Sequence, residues 1–231
     1  MSRAQIFATA AEAVADIRDG ATVLVGGFGS AGHPAQLLEA LLDSGATDLT
    51  VVSNNAGNAD HGLAALIGGG RVRKMVCSFP RQADSWHFDA RYRAGQLELE
   101  LVPQGNLAER IRAAGAGIGG FFTPTGYGTA LAEGKETRVI DGRGYVLESP
   151  IRGDVALIAA HRSDELGNLV YRKTARNFGP IMATAAAVTI VQVDSVDAAG
   201  SINPEDVITP GLYVDRVVPI VRNLARAGER P

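Results

Sequence analysis

The chain has 231 residues, 46% of them hydrophobic, which is enough for one large core with no composition break to divide it. Its 22 basic and 25 acidic residues nearly cancel to a charge of −3, without the basic stripe that a nucleic-acid backbone selects. A lone Cys77 excludes an intrachain disulfide and a multi-cysteine metal site, and no stretch has the length and apolarity of a membrane span, so a soluble cytoplasmic protein is expected.

From the N-terminus, a helical apolar period covers Ala8 to Ile17 and stops at Asp19-Gly20, after which the β-branched run Thr22 to Val25 reads as the first strand. Pro34 suits the start of the next helix, whose Leu37, Leu38, Leu41 and Leu42 share a face before Gly45 ends it. Leu49 to Ser53 is a second strand. The alternation then continues: a helix near Leu63 to Ile67, a strand at Lys74 to Ser78, a helix near Ser85 to Ala94, a strand at Leu97 to Val102 and a helix from Leu107 to Ala114. Such alternation implies parallel strands joined by helices.

A glycine-rich stretch through Gly128 interrupts this pattern, and Thr137 to Ile140 with Val146 to Leu147 around Asp141-Gly142 reads as a β-hairpin. Strands at Val155 to Ala160, Val188 to Val193 and Val214 to Val218, a turn at Gly167-Asn168 and a helix near Pro180 to Ala187 complete the series. The predicted fold is therefore α/β, an open and mostly parallel sheet flanked by helices with a small hairpin insertion. Residues 1–221 form one expected unit, and Arg222 to Pro231 a flexible tail.

Cys77 lies in the apolar run after Met75 and Val76, where a small buried thiol fits. His33, His61, His87 and His161 share no metal-ligand spacing, so no metal site is expected, although His33 stands where it would line a pocket beside the glycines that precede it.

Those glycines form the sharpest local feature. Gly26, Gly27, Phe28, Gly29, Ser30, Ala31 and Gly32 leave a strand and enter a helix, and such a turn brings backbone close to an anionic or acyl ligand. Gly27, Gly29 and Gly32 also satisfy a dinucleotide-binding spacing. However, Ser53-Asn54-Asn55 stands where that site needs an acid, while Asp48 comes too early and Asp60 too late, so a NAD-dependent oxidoreductase is the remote alternative. Taken alone, the glycines can also be a tight turn and nothing more.

The whole pattern is wider than one loop. Asp19-Gly20, Val23-Leu24-Val25-Gly26-Gly27-Phe28, Gly32 and Pro34 resemble the first signature of the family I CoA-transferases. Ser53-Asn54-Asn55-Ala56-Gly57, Pro103-Gln104-Gly105-Asn106-Leu107-Ala108-Glu109-Arg110, Phe122-Thr123-Pro124-Thr125-Gly126, Glu133-Gly134-Lys135-Glu136, Asn177-Phe178-Gly179-Pro180 and Thr209-Pro210-Gly211 extend the resemblance, in the order of the A subunit, from about Asp19 to Val218.

The resemblance implies CoA transfer between carboxylic acids, with a CoA thioester as substrate and no permanently bound cofactor. A glutamate attacks the acyl-CoA and then carries CoA as a glutamyl thioester. In the family that glutamate lies in a Ser-Glu-Asn-Gly type motif of the B subunit, and no such string occurs here. No catalytic residue is therefore expected in this chain, and the partner is a B subunit, in an A2B2 assembly by resemblance. Glu148, after the strand-like Tyr145 to Leu147 and without flanking glycines, reads as a surface or ion-paired carboxylate.

By the same resemblance, Gly26 to Gly32 line the acyl-CoA site, and Asn54, Asn55 and Gln104 face the substrate acyl or carboxylate group as polar donors at strand ends. Read without it, Asn54-Asn55 is a turn and Gln104 a helix-start residue, with Glu109 a first-turn acid. Lys173, Arg176 and Asn177 precede a helix, where they meet a phosphate or the partner, or form an exposed basic face.

Cys77-Ser78-Phe79-Pro80-Arg81-Gln82, Asp84-Ser85, Phe88-Asp89 and Glu165 to Lys173 resemble the 3-oxoadipate type of A subunit more than the acetoacetate type. That implies transfer from succinyl-CoA to 3-oxoadipate in the breakdown of aromatic compounds, with Arg81 a candidate cation for the distal carboxylate. An acetoacetate-specific transferase is the alternative, and a catalytically silent subunit that senses CoA esters is a third reading.

Overall fold

The computed structural model describes residues 4–220; the expected tail at Arg222–Pro231 lies outside them. In chain order the elements are β1 (Gln5–Ile6), α1 (Ala10–Val14), β2 (Thr22–Val25), α2 (Ala35–Ser44), β3 (Leu49–Val52), α3 (Gly62–Gly68), β4 (Val72–Cys77), α4 (Trp86–Arg93), β5 (Glu98–Leu101) and α5 (Gln104–Gly115). The second half contributes β6 (Phe121–Thr123), β7 (Thr137–Ile140), β8 (Arg143–Glu148), β9 (Gly153–Asp164), β10 (Leu169–Val170), α6 (Gly179–Ala185), β11 (Ala186–Asp197) and β12 (Arg216–Pro219).

The main sheet runs β1-β12-β11-β9-β2-β3-β4-β5, and its strand pairs along that path are parallel. β10 turns back to pair antiparallel with β9. Successive strands β2 to β5 step outward in one direction, after which the chain returns to β9 on the other side of β2. The order therefore reverses between β2 and β9, and ligands of open parallel sheets bind outside the carboxyl ends at such a reversal.

Both faces of the sheet are covered. Leu37, Leu38 and Leu41 of α2 are fully buried against Val23, Val25, Val51 and α3, each contributing roughly 1.5–3 kcal/mol of burial. Leu107, Ile111 and Ala114 of α5 pack with Met182 and Ala183 of α6 over Leu24, Val52 and Ile158 on the opposite face. α2 stops where Gly45 takes a left-handed conformation at φ 84° and its N–H returns to the Leu42 carbonyl.

The expected hairpin is part of a three-stranded antiparallel sheet in the order β6-β8-β7. Its third strand, Phe121–Thr123, falls in the stretch that the sequence presents only as glycine-rich. β9 and β11 are also longer than their apolar runs. Their last residues pair through side chains, His161 Nδ1 with Asp194 at 2.9 Å and Arg162 with Asp197 at 2.7 Å, so polar residues continue the ladder. Glu109 is a correction: α5 begins at Gln104, so Glu109 lies beyond the first turn and pairs instead with Arg112 at 2.9 Å.

Candidate active site

The glycine loop leaves β2 at the strand-order reversal. Gly26 continues the ladder by donating to the Leu157 carbonyl of β9 at 2.9 Å. Phe28 and Ala31 exchange backbone bonds of 3.0 and 3.2 Å, which makes Gly29-Ser30 the tip of a tight two-residue turn with Gly29 at φ 59°. Gly32, at φ 72°, has no room for a side chain: a Cβ there would run into the Ala175 carbonyl oxygen and lie 2.9 Å from Asn177 Nδ2.

Asn177 is the clamp behind this loop. Its Oδ1 accepts the Gly27 N–H at 3.0 Å and the Phe178 N–H at 2.7 Å. Its Nδ2 donates to the carbonyls of Ala31 at 2.9 Å and Thr174 at 2.8 Å. One side chain thus ties both stems of the loop to the segment Lys173–Arg176, a single 3-10 turn. Phe28, Ala31, Lys173, Thr174, Arg176 and Asn177 line an open recess of about 650 Å³, into whose wall Phe28 brings a ring that is 51% exposed.

The start of α2 is not a free anion site. The Oε1 of Gln192, on β11, accepts the N–H groups of Gln36 at 3.0 Å and Leu37 at 3.3 Å, and this closes the helix terminus. That contact removes the physical basis of the dinucleotide alternative, which needs open amides for a pyrophosphate. Sequence reasoning missed Gln192; the available signal was an amide within the apolar run Val188 to Val193.

The carboxyl ends of β3, β4 and β5 supply a second cluster. Asn54 and Asn55 are 3% and 2% exposed. Asn54 Oδ1 accepts from Gln104 Nε2 at 2.6 Å and Ser78 Oγ at 2.9 Å, so its Nδ2 is the donor left uncommitted among the described residues. Asn55 Oδ1 accepts the Gly57 N–H at 2.9 Å, the side-chain turn that asparagine favours. Gln104 is the first residue of α5 and exposed, so the helix-start reading holds together with the contact to Asn54.

His33 stands directly after the loop. Burial, reinforced by His61, lowers its pKa to about 4, and its Nε2 is enclosed without a hydrogen-bond partner. Cys77 is fully buried with its thiol pushed up to about 12 by burial, which leaves it a packing residue as expected. No group of three or more metal-ligating side chains occurs among the described residues, and none of their helices is long and apolar enough to cross a membrane.

Glu148 is only 2% exposed, which corrects the surface half of its reading and keeps the ion-paired half. Lys135 Nζ lies 2.8 Å away, Asn106 Nδ2 donates at 3.2 Å, and Arg110 Nε is 3.7 Å distant. Asp164, the other carboxylate buried to this degree among the described residues, accepts N–H bonds from Leu166, Asn168 and the Asn168 amide. Arg81 is exposed and its Nε is held by Asp89 at 2.6 Å.

Comparison with known proteins adds a family to this geometry. The model of the coenzyme A transferase family matches residues 7–219. The A subunit of 3-oxoadipate CoA-transferase from Pseudomonas putida is 64% identical over 214 residues, 93% of each chain. The protein of the same name from Acinetobacter baylyi is 61% identical over 220 residues, 95% of this chain and 96% of that one. A crystal structure of an acyl-CoA transferase from Escherichia coli O157:H7 has a TM-score of 0.87 at 24% identity, over 99% of this chain and 49% of that chain, a likeness of fold. With a family match across nearly the whole length and relatives above 60% identity, this chain belongs to the coenzyme A transferase family.

Proposed function

We propose that this chain is the A subunit of a 3-oxoadipate CoA-transferase, moving CoA from succinyl-CoA to 3-oxoadipate together with a B subunit in an A2B2 assembly. The observation that carries the substrate is the 64% identity, over 93% of both chains, to the corresponding chain of an enzyme with that activity. The partner is supported by the same relative's description as one subunit of its enzyme, and by an acyl-CoA transferase chain of which this one spans about half.

In this reading a partner glutamate attacks the thioester carbonyl and expels the CoA thiolate, leaving an acyl-glutamyl anhydride. The thiolate then attacks the glutamyl carbonyl and releases succinate, and the acceptor acid runs both steps in reverse. This chain contributes the walls and donors. The loop Gly26 to Gly32 lines the acyl-CoA site, and Asn54, Asn55 and Gln104 present amides near the developing oxyanion. A nucleophile outside this chain is consistent with the bonds of the two most buried carboxylates among the described residues, since Glu148 is ion-paired and Asp164 holds a turn.

The test is CoA transfer from succinyl-CoA by the purified chain alone and mixed with the product of the adjacent gene, with 3-oxoadipate and acetoacetate competing as acceptors. Turnover only in the mixture, with 3-oxoadipate preferred, is expected. Transfer by the chain alone would overturn the division of labour, and a preference for acetoacetate would overturn the substrate.

A further inference from the structure

Nine of the eighteen arginines and lysines in the described residues are committed to close ion pairs. Arg73, Lys74, Arg81, Arg110, Arg112, Lys135, Arg138, Arg162 and Arg216 each pair with a carboxylate within 3.1 Å. Lys173 and Arg176 form no ion pair among the described residues, as is also true of Arg18, Arg71, Arg91, Arg143, Arg152 and Arg172, but these two line the recess together with Phe28 and Ala31 of the glycine loop. Their placement is constrained by backbone. Lys173 holds a left-handed φ of 51°, unusual for a side chain of its size, and the turn that carries it is fastened to the loop by the Asn177 bonds to Thr174 and Ala31. The close approach of Gly32 to the Ala175 carbonyl fixes the same two segments against each other.

We propose that Lys173 and Arg176 are the anion-holding wall of the substrate recess, taking a carboxylate or phosphate of the CoA thioester, and that Asn177 is the positioning residue that sets this wall against the glycine loop. The proposal rests on the reading of that loop as the acyl-CoA site. Two cations beside an exposed ring suit a ligand with an apolar stem and an anionic terminus, and charge-assisted bonds discriminate more strongly than neutral ones. Arg81, by contrast, already shares its charge with Asp89 through Nε and does not line this recess.

The experiment uses the reconstituted two-subunit enzyme carrying Arg176→Gln or Lys173→Gln, with kcat/KM measured for succinyl-CoA, acetyl-CoA and succinyl-pantetheine. A loss of about 10- to 100-fold is expected on the ligand that reaches the wall. Loss on both succinyl esters with acetyl-CoA spared identifies a carboxylate. Loss on both CoA esters with the pantetheine ester spared identifies a phosphate.

Equal kcat/KM to the parent enzyme on all three donors overturns the wall. For Asn177 the readout is a split: Asn177→Asp, which keeps the acceptor and loses both donated bonds, raises KM across the same donors more than it lowers kcat. An unchanged KM in a folded, assembled variant overturns the positioning role. Absence of transfer by the unsubstituted assembly would instead sink the function proposed above, so the two failures are distinguishable.

Discussion

At the scale of single residues, His33 converts packing into a pH dependence. It sits between Gly27 and Gly62, whose missing side chains make room for its ring; a Cβ on Gly27 would approach its Cδ2 to 3.1 Å. Burial lowers its pKa to about 4, so the folded state keeps the ring neutral where the unfolded chain, near 6.5, begins to bind a proton. The sign follows. The contribution is fully present above about pH 6.5 and is lost progressively as pH falls toward 4, up to about 3 kcal/mol. Urea unfolding of the parent and of His33→Gln at pH 7 and pH 4.5 reads this directly. The variant is expected to lose less stability over that interval, whereas identical losses would show that His33 titrates normally.

At the scale of elements, α2 shows how much of the local structure can be read from sequence and where reading stops. Pro34 and Gly45 mark its ends, and the leucine spacing marks its buried face, because each acts through the residue's own geometry. The closure of its first turn by Gln192 could not be read, since that amide lies 156 positions away along the chain. Gln192→Leu keeps the volume and removes the acceptor, leaving two amide donors enclosed. It should cost about 1–3 kcal/mol in urea midpoint analysis, and a change within a few tenths would mean that water satisfies the helix end. The two-residue strand β1 was illegible for a similar reason: its ladder is with β12, and nothing in Gln5-Ile6 announces a strand. Asn177 was visible as a residue before a helix, but its four bonds depend on a loop 146 to 150 positions earlier.

At the scale of the whole molecule, charged residues join the two sheets. Arg110 on α5 donates to Glu100 on β5 at 2.8 Å and to the Ser149 carbonyl just past β8 at 2.7 Å. Burial raises the pKa of Glu100, but hydrogen bonds from Lys74 and Arg110 outweigh it and hold the carboxyl below its usual range. Glu148 closes the arrangement from the small sheet through Lys135 and Asn106. In this arrangement Glu148 is structural, and it is also the first carboxylate to suspect if the chain proves active alone. One variant separates the two roles. Glu148→Ala takes the acceptor from Asn106 and from the partly exposed Lys135, while Arg110 keeps Glu100 and the Ser149 carbonyl, and should cost about 1–3 kcal/mol in stability. In assembled enzyme held well below its unfolding temperature, turnover should nonetheless persist if, as proposed, the CoA-carrying glutamate belongs to the partner. If the variant assembles normally but forms no glutamyl-CoA thioester, detectable by its reaction with borohydride, the nucleophile lies in this chain and the division of labour between the two chains is wrong.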